Sequence, residues 1–351
     1  MPGYGKKVLC LPKITIMKHR TDSLLSIFVV ALMLFGATVV NAQKFPSKAL
    51  ASVNEERARN SVGFLADDLL EGRDAGKRGG ALAANYIVSL LQEWGVQPLM
   101  ESGYYQPFQA VRNGNNWLTE ADRNLSQLVA DGCEVRDLRN ILAVIPGNEP
   151  GIVVVGAHYD HLGIDASLKG DSCFNGADDN ASGVSAVLQI ARAIKMSGKQ
   201  PRRTIVFALW DGEEKGLLGS SYFVKKCSFL SDISAYMNFD MVGRGPVDNL
   251  MHLSYMYTAA NPLFGEWLRE DVKEHDLCVV PAYKASESLV GGSDNTPFAR
   301  KGIPIVWYHT EGHPDYHQVS DSADKVDYRK LTDISRAACL CVWRLANVRN
   351  Y

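Results

Sequence analysis

The chain predicts an α/β fold in which helices sandwich a central mixed, largely parallel sheet. Three observations carry this. From Asn140 onward, short β-branched runs alternate with helical stretches. The runs at 141–145, 152–155, 204–209, 235–239 and 303–307 are continuously apolar, which suits strands covered on both faces. Between them, Val184, Val187, Leu188, Ala191 and Ile194 recur at helical spacing, and near the end Leu331, Ile334, Ala338, Cys341 and Leu345 do the same. Strand–helix alternation of this kind leads to a largely parallel sheet with helices on its faces.

Taken in order, residues 54–71 and 79–95 read as helices, the second with Ala84, Ile87, Leu90 and Leu91 on one face. Residues 101–135 are polar and show no clear period. The runs at 141–145 and 152–155 lie close enough for a hairpin, which would make the sheet mixed. Helices are expected over 181–195 and 328–348. No repeat or low-complexity linker interrupts residues 43–351, which read as one domain.

Ahead of that domain, Met17-Lys18-His19-Arg20 precedes a mostly apolar run from Leu24 to Val40, with small residues at Val40 and Ala42. A basic segment, an apolar core and small residues form the pattern of a secretory signal peptide cleaved after Ala42. A retained anchor is the competing reading. The apolar run of 17 residues contains Ser26, Gly36 and Thr38 and is short for a spanning helix. Residues 1–42 are therefore expected to be a leader, the first 16 an upstream extension, and the mature protein periplasmic or extracellular without a stable membrane anchor.

With 37 Lys+Arg against 39 Asp+Glu, the chain lacks the basic excess of a nucleic-acid binder. At 46% hydrophobic residues it is too apolar for a disordered chain. The six cysteines beyond the leader (Cys133, Cys173, Cys227, Cys278, Cys339 and Cys341) include no CxxC pair, which argues against a zinc–thiolate cluster. Spacing does not give their pairing, and nothing in the sequence sets the oligomeric state.

In a sheet of this class the site lies beyond the carboxyl ends of the strands. Metal-ligand residue types stand there repeatedly. His158 and Asp160 follow the run at 152–155. Asp211, Glu213 and Glu214 follow 204–209, and Asp240 follows 235–239. His309, His313 and His317 follow the last run, and Asp178, Asp179 and Asn180 open a helix. Histidine and carboxylate without thiolate suit zinc or a related divalent ion in hydrolysis. Adjacent Glu213 and Glu214 fit a division of labour between holding metal and moving a proton. Asp178 and Asn180 read as caps or supports of the helix start. Gly312 and Pro314 exclude a helical metal face for the three late histidines, and His309 and His313 read as pocket wall or loop structure. His161 reads equally as site lining and as structure, and Asp321 equally as a support for His317 and as a residue without a part in the site.

The words GAHYDHLG, NGADDNASG, LWDGEEKGLLGS, NFDMVG and PDYHQVSDSADKVD occur in that order over about 155–330. Together with LADDLLEGRDAGKRGG near the start, they resemble the co-catalytic di-zinc aminopeptidases, a family that includes secreted bacterial leucyl aminopeptidases, glutaminyl cyclases and glutamate carboxypeptidases. The resemblance implies a three-layer, phosphorylase/hydrolase-like zinc exopeptidase fold, two zinc ions per chain, and peptide substrates with a free N-terminus. It implies that His158, Asp179, Glu214, Asp240 and His317 are metal ligands, with Asp179 bridging. Asp240 would share its ion with His158, and Glu214 with His317. It also implies Glu213 as general base and Asp160 as the carboxylate that orients His158. Asn295 departs from the pattern, which usually has His there, and a protease-associated insert seen in some relatives is missing.

The resemblance leaves other activities open. A glutaminyl cyclase shares the fold and many of these residues, commonly with one zinc. A carboxypeptidase for acidic peptides would need a cation that the sequence does not place. A non-catalytic binding ectodomain would be expected to have lost ligands that this chain keeps.

Overall fold

The computed structural model describes residues 44–351. The expected leader lies outside the described residues. Among the described residues twelve strands occur in order: β1 (Gln97–Pro98), β2 (Tyr105–Asn113), β3 (Asn116–Thr119), β4 (Val135–Ile145), β5 (Ile152–His158), β6 (Gly163–Ile164), β7 (Cys173–Phe174), β8 (Thr204–Trp210), β9 (Ile233–Phe239), β10 (His252–Thr258), β11 (Val280–Ser286) and β12 (Ile305–His309). The α-helices are α1 (Ser47–Leu50), α2 (Glu55–Leu65), α3 (Arg78–Glu93), α4 (Ser126–Ala130), α5 (Gly183–Met196), α6 (Leu218–Lys226), α7 (Leu263–Glu274), α8 (Asn295–Ala299) and α9 (Tyr328–Asn347).

The main sheet runs β11-β10-β12-β9-β5-β8-β4-β2-β3, with β1 also on β4. Its centre, β12-β9-β5-β8, is parallel. Antiparallel pairs β10/β12 and β4/β8 close it on either side, so the sheet is mixed and largely parallel. The β4/β5 hairpin that the short spacing allows does not form. β8 lies between the two strands, antiparallel to β4 and parallel to β5. The polar segment over 101–135 becomes the antiparallel flank of β2, β3 and the start of β4, together with α4.

Alternation along the central strands builds two cores, one on each face of the sheet. Val153, Val155, Phe207, Met237, Val306 and Tyr308 face one core, which takes in α2, α3, α5 and α9. Val154, Val206, Ala208, Tyr236, Ile305 and Trp307 face the other, with Phe223 of α6 and Phe298 of α8. The result is the three-layer sandwich. Helix α5 is buried almost all round, as expected of a helix wedged between sheet and outer helices.

The first long helix stops at Leu65 rather than running to 71. Asp67 accepts from the Leu69 N–H at 2.9 Å and starts a tight 3₁₀ stretch, Asp68–Arg73, in which Glu71, Gly72 and Arg73 turn to positive φ of 50°, 62° and 49°. The six cysteines of the described residues are free thiols. Among the described residues, no helix is long and apolar enough to cross a membrane.

Phe298 is the keystone of the second core. It is fully buried, stacks on Tyr236 at 4.0 Å, and lies 5.9 Å from Trp210 and 6.0 Å from Phe223 between ring centroids. Phe298→Ala is expected to cost about 3–5 kcal/mol, because the surrounding rings cannot collapse into the space. A fall in the urea unfolding midpoint at unchanged slope checks this. A midpoint equal to that of the parent chain would refute it.

Candidate metal centre

All four central strands are parallel, so their carboxyl ends meet along one edge. β5 is the strand where the winding reverses, with β8 on one side and β9 on the other. A crevice forms at such a switch point. β5 ends in it at His158. The chain leaving β8 brings Glu213 and Glu214, that leaving β9 brings Asp240, and the loop beyond β12 brings His317.

There the side chains converge on a cavity of about 230 Å³ whose lining includes His158, Asp179, Glu213, Glu214, Asp240, His309 and His317. His158 Nε2 stands 3.4 Å from Asp179 Oδ1 and 3.7 Å from Asp240 Oδ1. His317 Nε2 stands 3.1 Å from Asp179 Oδ2 and 3.4 Å from Glu214 Oε2. Asp179 thus turns one oxygen toward each histidine. Met241, Trp307 and Tyr316 complete the wall.

The residues fit divalent cations. The lining holds four carboxylates and three imidazoles, and neither lysine nor arginine. His158 Nε2 and His161 Nε2 are buried and make no hydrogen bond. Buried charges and polar groups of this kind need compensation, which a bound cation supplies. Desolvation pushes Glu213 well above the usual glutamate range; the His158 charge opposes this, while Asp294, Asp240 and Glu214 add to it. Burial likewise pushes Asp160 and Asp294 to about 7.

Asp160 is fully buried and fastens two neighbours at once. Its Oδ1 accepts from the Glu213 N–H at 3.0 Å and its Oδ2 from the Glu214 N–H at 3.3 Å. His158 Nδ1 lies 3.2 Å from the Asp160 carbonyl oxygen and 3.8 Å from its carboxylate. A proton on Nδ1 donates to that carbonyl and leaves Nε2 free toward the cavity.

Asp179 sits in an irregular turn, Ala177–Ser182, that leads into α5. Asn180 pins this turn to the end of β9: Nδ2 donates to Phe239 O at 2.9 Å, and Oδ1 accepts from the N–H groups of Gly183 and Met241. Asp178 points away from the cavity, accepting from the Gly243 N–H at 2.6 Å and facing His313 Nε2 at 3.2 Å. His309 lines the cavity with Nδ1 2.6 Å from Asp240 O.

Other residues take places that spacing does not reveal. His161 is buried, with Nδ1 2.8 Å from Glu214 Oε1 and 3.8 Å from Asp179 Oδ2, so it belongs to this cluster. Asp321 reaches the main chain of Asp178 and Asp179 rather than the His317 ring. Asn295 is buried and donates to Leu289 O and Gly291 O, holding the rim loop whose Gly292 lines the cavity. Arg73, to which the sequence assigns no role, is buried beside the site. Tyr255 is also core: its hydroxyl donates to Phe264 O at 2.9 Å.

A largely parallel sheet with an acid- and imidazole-lined crevice at its carboxyl edge defines the molecule as an α/β protein with a candidate metal site. Residues 140–342 match the model of peptidase family M28, and the chain belongs to that family. It is 29% identical over 229 residues to leupeptin-inactivating enzyme 1 of Streptomyces exfoliatus, a match covering 59% of this chain and 48% of that protein. The chain thus spans about half the length of that relative. It is 26% identical over 280 residues to a probable leucine aminopeptidase of Arthroderma otae, covering 76% and 74% of the two chains. The fold resembles that of a zinc aminopeptidase from Bacillus subtilis, with a TM-score of 0.64 at 18% identity over 88% of this chain and 98% of that one.

Proposed function

We propose that residues 43–351 form an exported zinc aminopeptidase that releases N-terminal residues from peptides. One observation carries this reading: the two Asp179 oxygens face two histidines, each of which also has a carboxylate of its own. That is the donor set for two ions sharing a bridge. His158, Asp240 and Asp179 would hold one ion, and Asp179, Glu214 and His317 the other.

Bound zinc would supply Lewis acidity, lowering the pKa of water to about 7 and polarising the scissile carbonyl. The chain's own groups do the rest. Glu213 takes the proton of the attacking water and passes it to the leaving amine. Asp160 holds the Glu213 and Glu214 main chain in place. The cavity is smaller than the roughly 300–1,000 Å³ of sites that enclose drug-sized ligands, which suits a single terminal residue. Its acidic lining, with Asp240 and Glu213, suits a free α-ammonium group.

Hydrolysis of an aminoacyl-p-nitroanilide panel, with and without chelator, tests this. Free-amine substrates should be cleaved, chelator should stop cleavage, and N-acetylated analogues should be inert. Cyclisation of N-terminal glutamine peptides without release of p-nitroaniline would move the chain to the cyclase branch. Purified protein that takes up no zinc would leave a binding domain.

A further inference from the structure

Arg73 and Asp321 lie outside the cavity lining, yet both grip the turn that carries Asp179. Arg73 is fully buried. Its Nε donates to Tyr159 O at 2.9 Å. Nη1 donates to Leu65 O at 2.5 Å and Asn175 O at 2.6 Å, and Nη2 to Gly176 O at 2.9 Å and Asp179 O at 3.5 Å. All five guanidinium N–H groups are thereby spent on main-chain carbonyls. The three positive-φ residues Glu71, Gly72 and Arg73 turn the side chain inward to reach them. For a residue with a Cβ this conformation is unfavourable, so the surrounding contacts must hold it.

Asp321 takes the opposite side of the same turn. Its carboxylate accepts from the Asp178 N–H at 3.0 and 3.1 Å and from the Asp179 N–H at 3.0 Å. Its own carbonyl accepts from the Ala177 N–H at 3.1 Å. Gly176, at φ 58°, allows the close approach: a Cβ there would lie 2.1 Å from Asp179 O.

Arg73 links the carbonyl side of the turn to Tyr159, the residue after His158. Asp321 links the N–H side to the loop that bears His317, four residues upstream. Three segments with candidate ligands, separate in sequence, are joined through these two side chains. A residue that merely filled the core would not need its polar atoms distributed among these particular segments.

We infer that Arg73 and Asp321 are positioning residues that hold the Asp179 carboxylate midway between His158 and His317, ready for two cations before any cation arrives. The inference rests on the two-ion reading given above. Arg73→Lys keeps the charge but replaces a planar fan of five donors with three on a flexible stem. Asp321→Asn keeps the shape but turns an amide toward main-chain N–H groups.

The test uses the full domain. Zinc affinity is measured by equilibrium dialysis against buffered zinc, and the fold by far-ultraviolet circular dichroism of the chelated protein. Each variant should bind zinc about 10–100-fold more weakly, the usual cost of losing an outer support. Its dichroism should stay native, and kcat at saturating zinc should fall more than KM rises. Wild-type zinc affinity in a folded variant overturns the inference and leaves the metal reading intact. Absence of zinc binding by the wild type overturns both.

A measurement on the wild type alone stands even if a variant fails to fold. Amide exchange at Asp178 and Asp179 should be slow in the zinc-free protein. Exchange there as fast as in the exposed loop at 165–172 would show that no frame exists without metal, and would overturn the inference.

Discussion

Glu213→Gln is expected to keep the zinc content of the parent chain and lose about 10²–10⁴ of kcat, the usual contribution of a positioned general base. Glutamine has nearly the same volume, and the main-chain N–H of residue 213 would still donate to Asp160 Oδ1, now 3.0 Å away. The proposed ligands His158, Asp179, Glu214, Asp240 and His317 remain in place. What disappears is the proton acceptor, held where desolvation raises its affinity for a proton. The check is kcat on a leucyl substrate at saturating zinc, alongside metal analysis of the same preparation. Near-parental turnover would remove Glu213 from the mechanism. Loss of an ion would make it a ligand, exchanging its role with that of Glu214.

Which parts of this were readable in the sequence follows from what periodicity encodes. His158, Glu213, Glu214 and Asp240 stand where an apolar run stops, and in a parallel sheet such stops share one edge. His317 was different. Gly312 and Pro314 exclude a helix, but no spacing separates it from His309 and His313, and only the resemblance selected it. The structure sends His309 to the Asp240 carbonyl and His313 to Asp178. Strand order is not periodic, so nothing announced that β8 would enter between β4 and β5. Its pairing with both depends on long-range packing.

Arg73 was invisible for a related reason. A charged residue among Asp68, Glu71, Asp74, Lys77 and Arg78 reads as solvated, and its burial depends on a left-handed turn. Gly72 was the one available sign of that turn. Asp321 stands close to His317 in the chain, but that proximity says nothing about which way its carboxylate faces, and it turns to the main chain of Asp178 and Asp179.

Withdrawal of metal is expected to abolish turnover and to lower the thermal midpoint by several °C, reversibly on adding zinc. Without cations, Asp179, Glu213, Glu214 and Asp240 face one another across a small cavity, with Asp160 and Asp294 buried behind them. A ligand that binds only the folded state stabilises it by about 2.7 kcal/mol at 100 times its Kd. Each kcal/mol is worth roughly 2–4 °C in a domain of 150–250 residues, and somewhat less in a larger one. Scanning fluorimetry with and without a chelator reads the shift, and zinc added back should restore both midpoint and rate. Asp179→Asn sharpens the test. If Asp179 serves both ions, this one change should make the midpoint nearly indifferent to chelator, whereas Asp240→Asn or His317→Gln should leave part of the response. A wild-type midpoint and rate unmoved by chelator would refute metal dependence. A full response surviving in Asp179→Asn would show that the ions do not share that carboxylate.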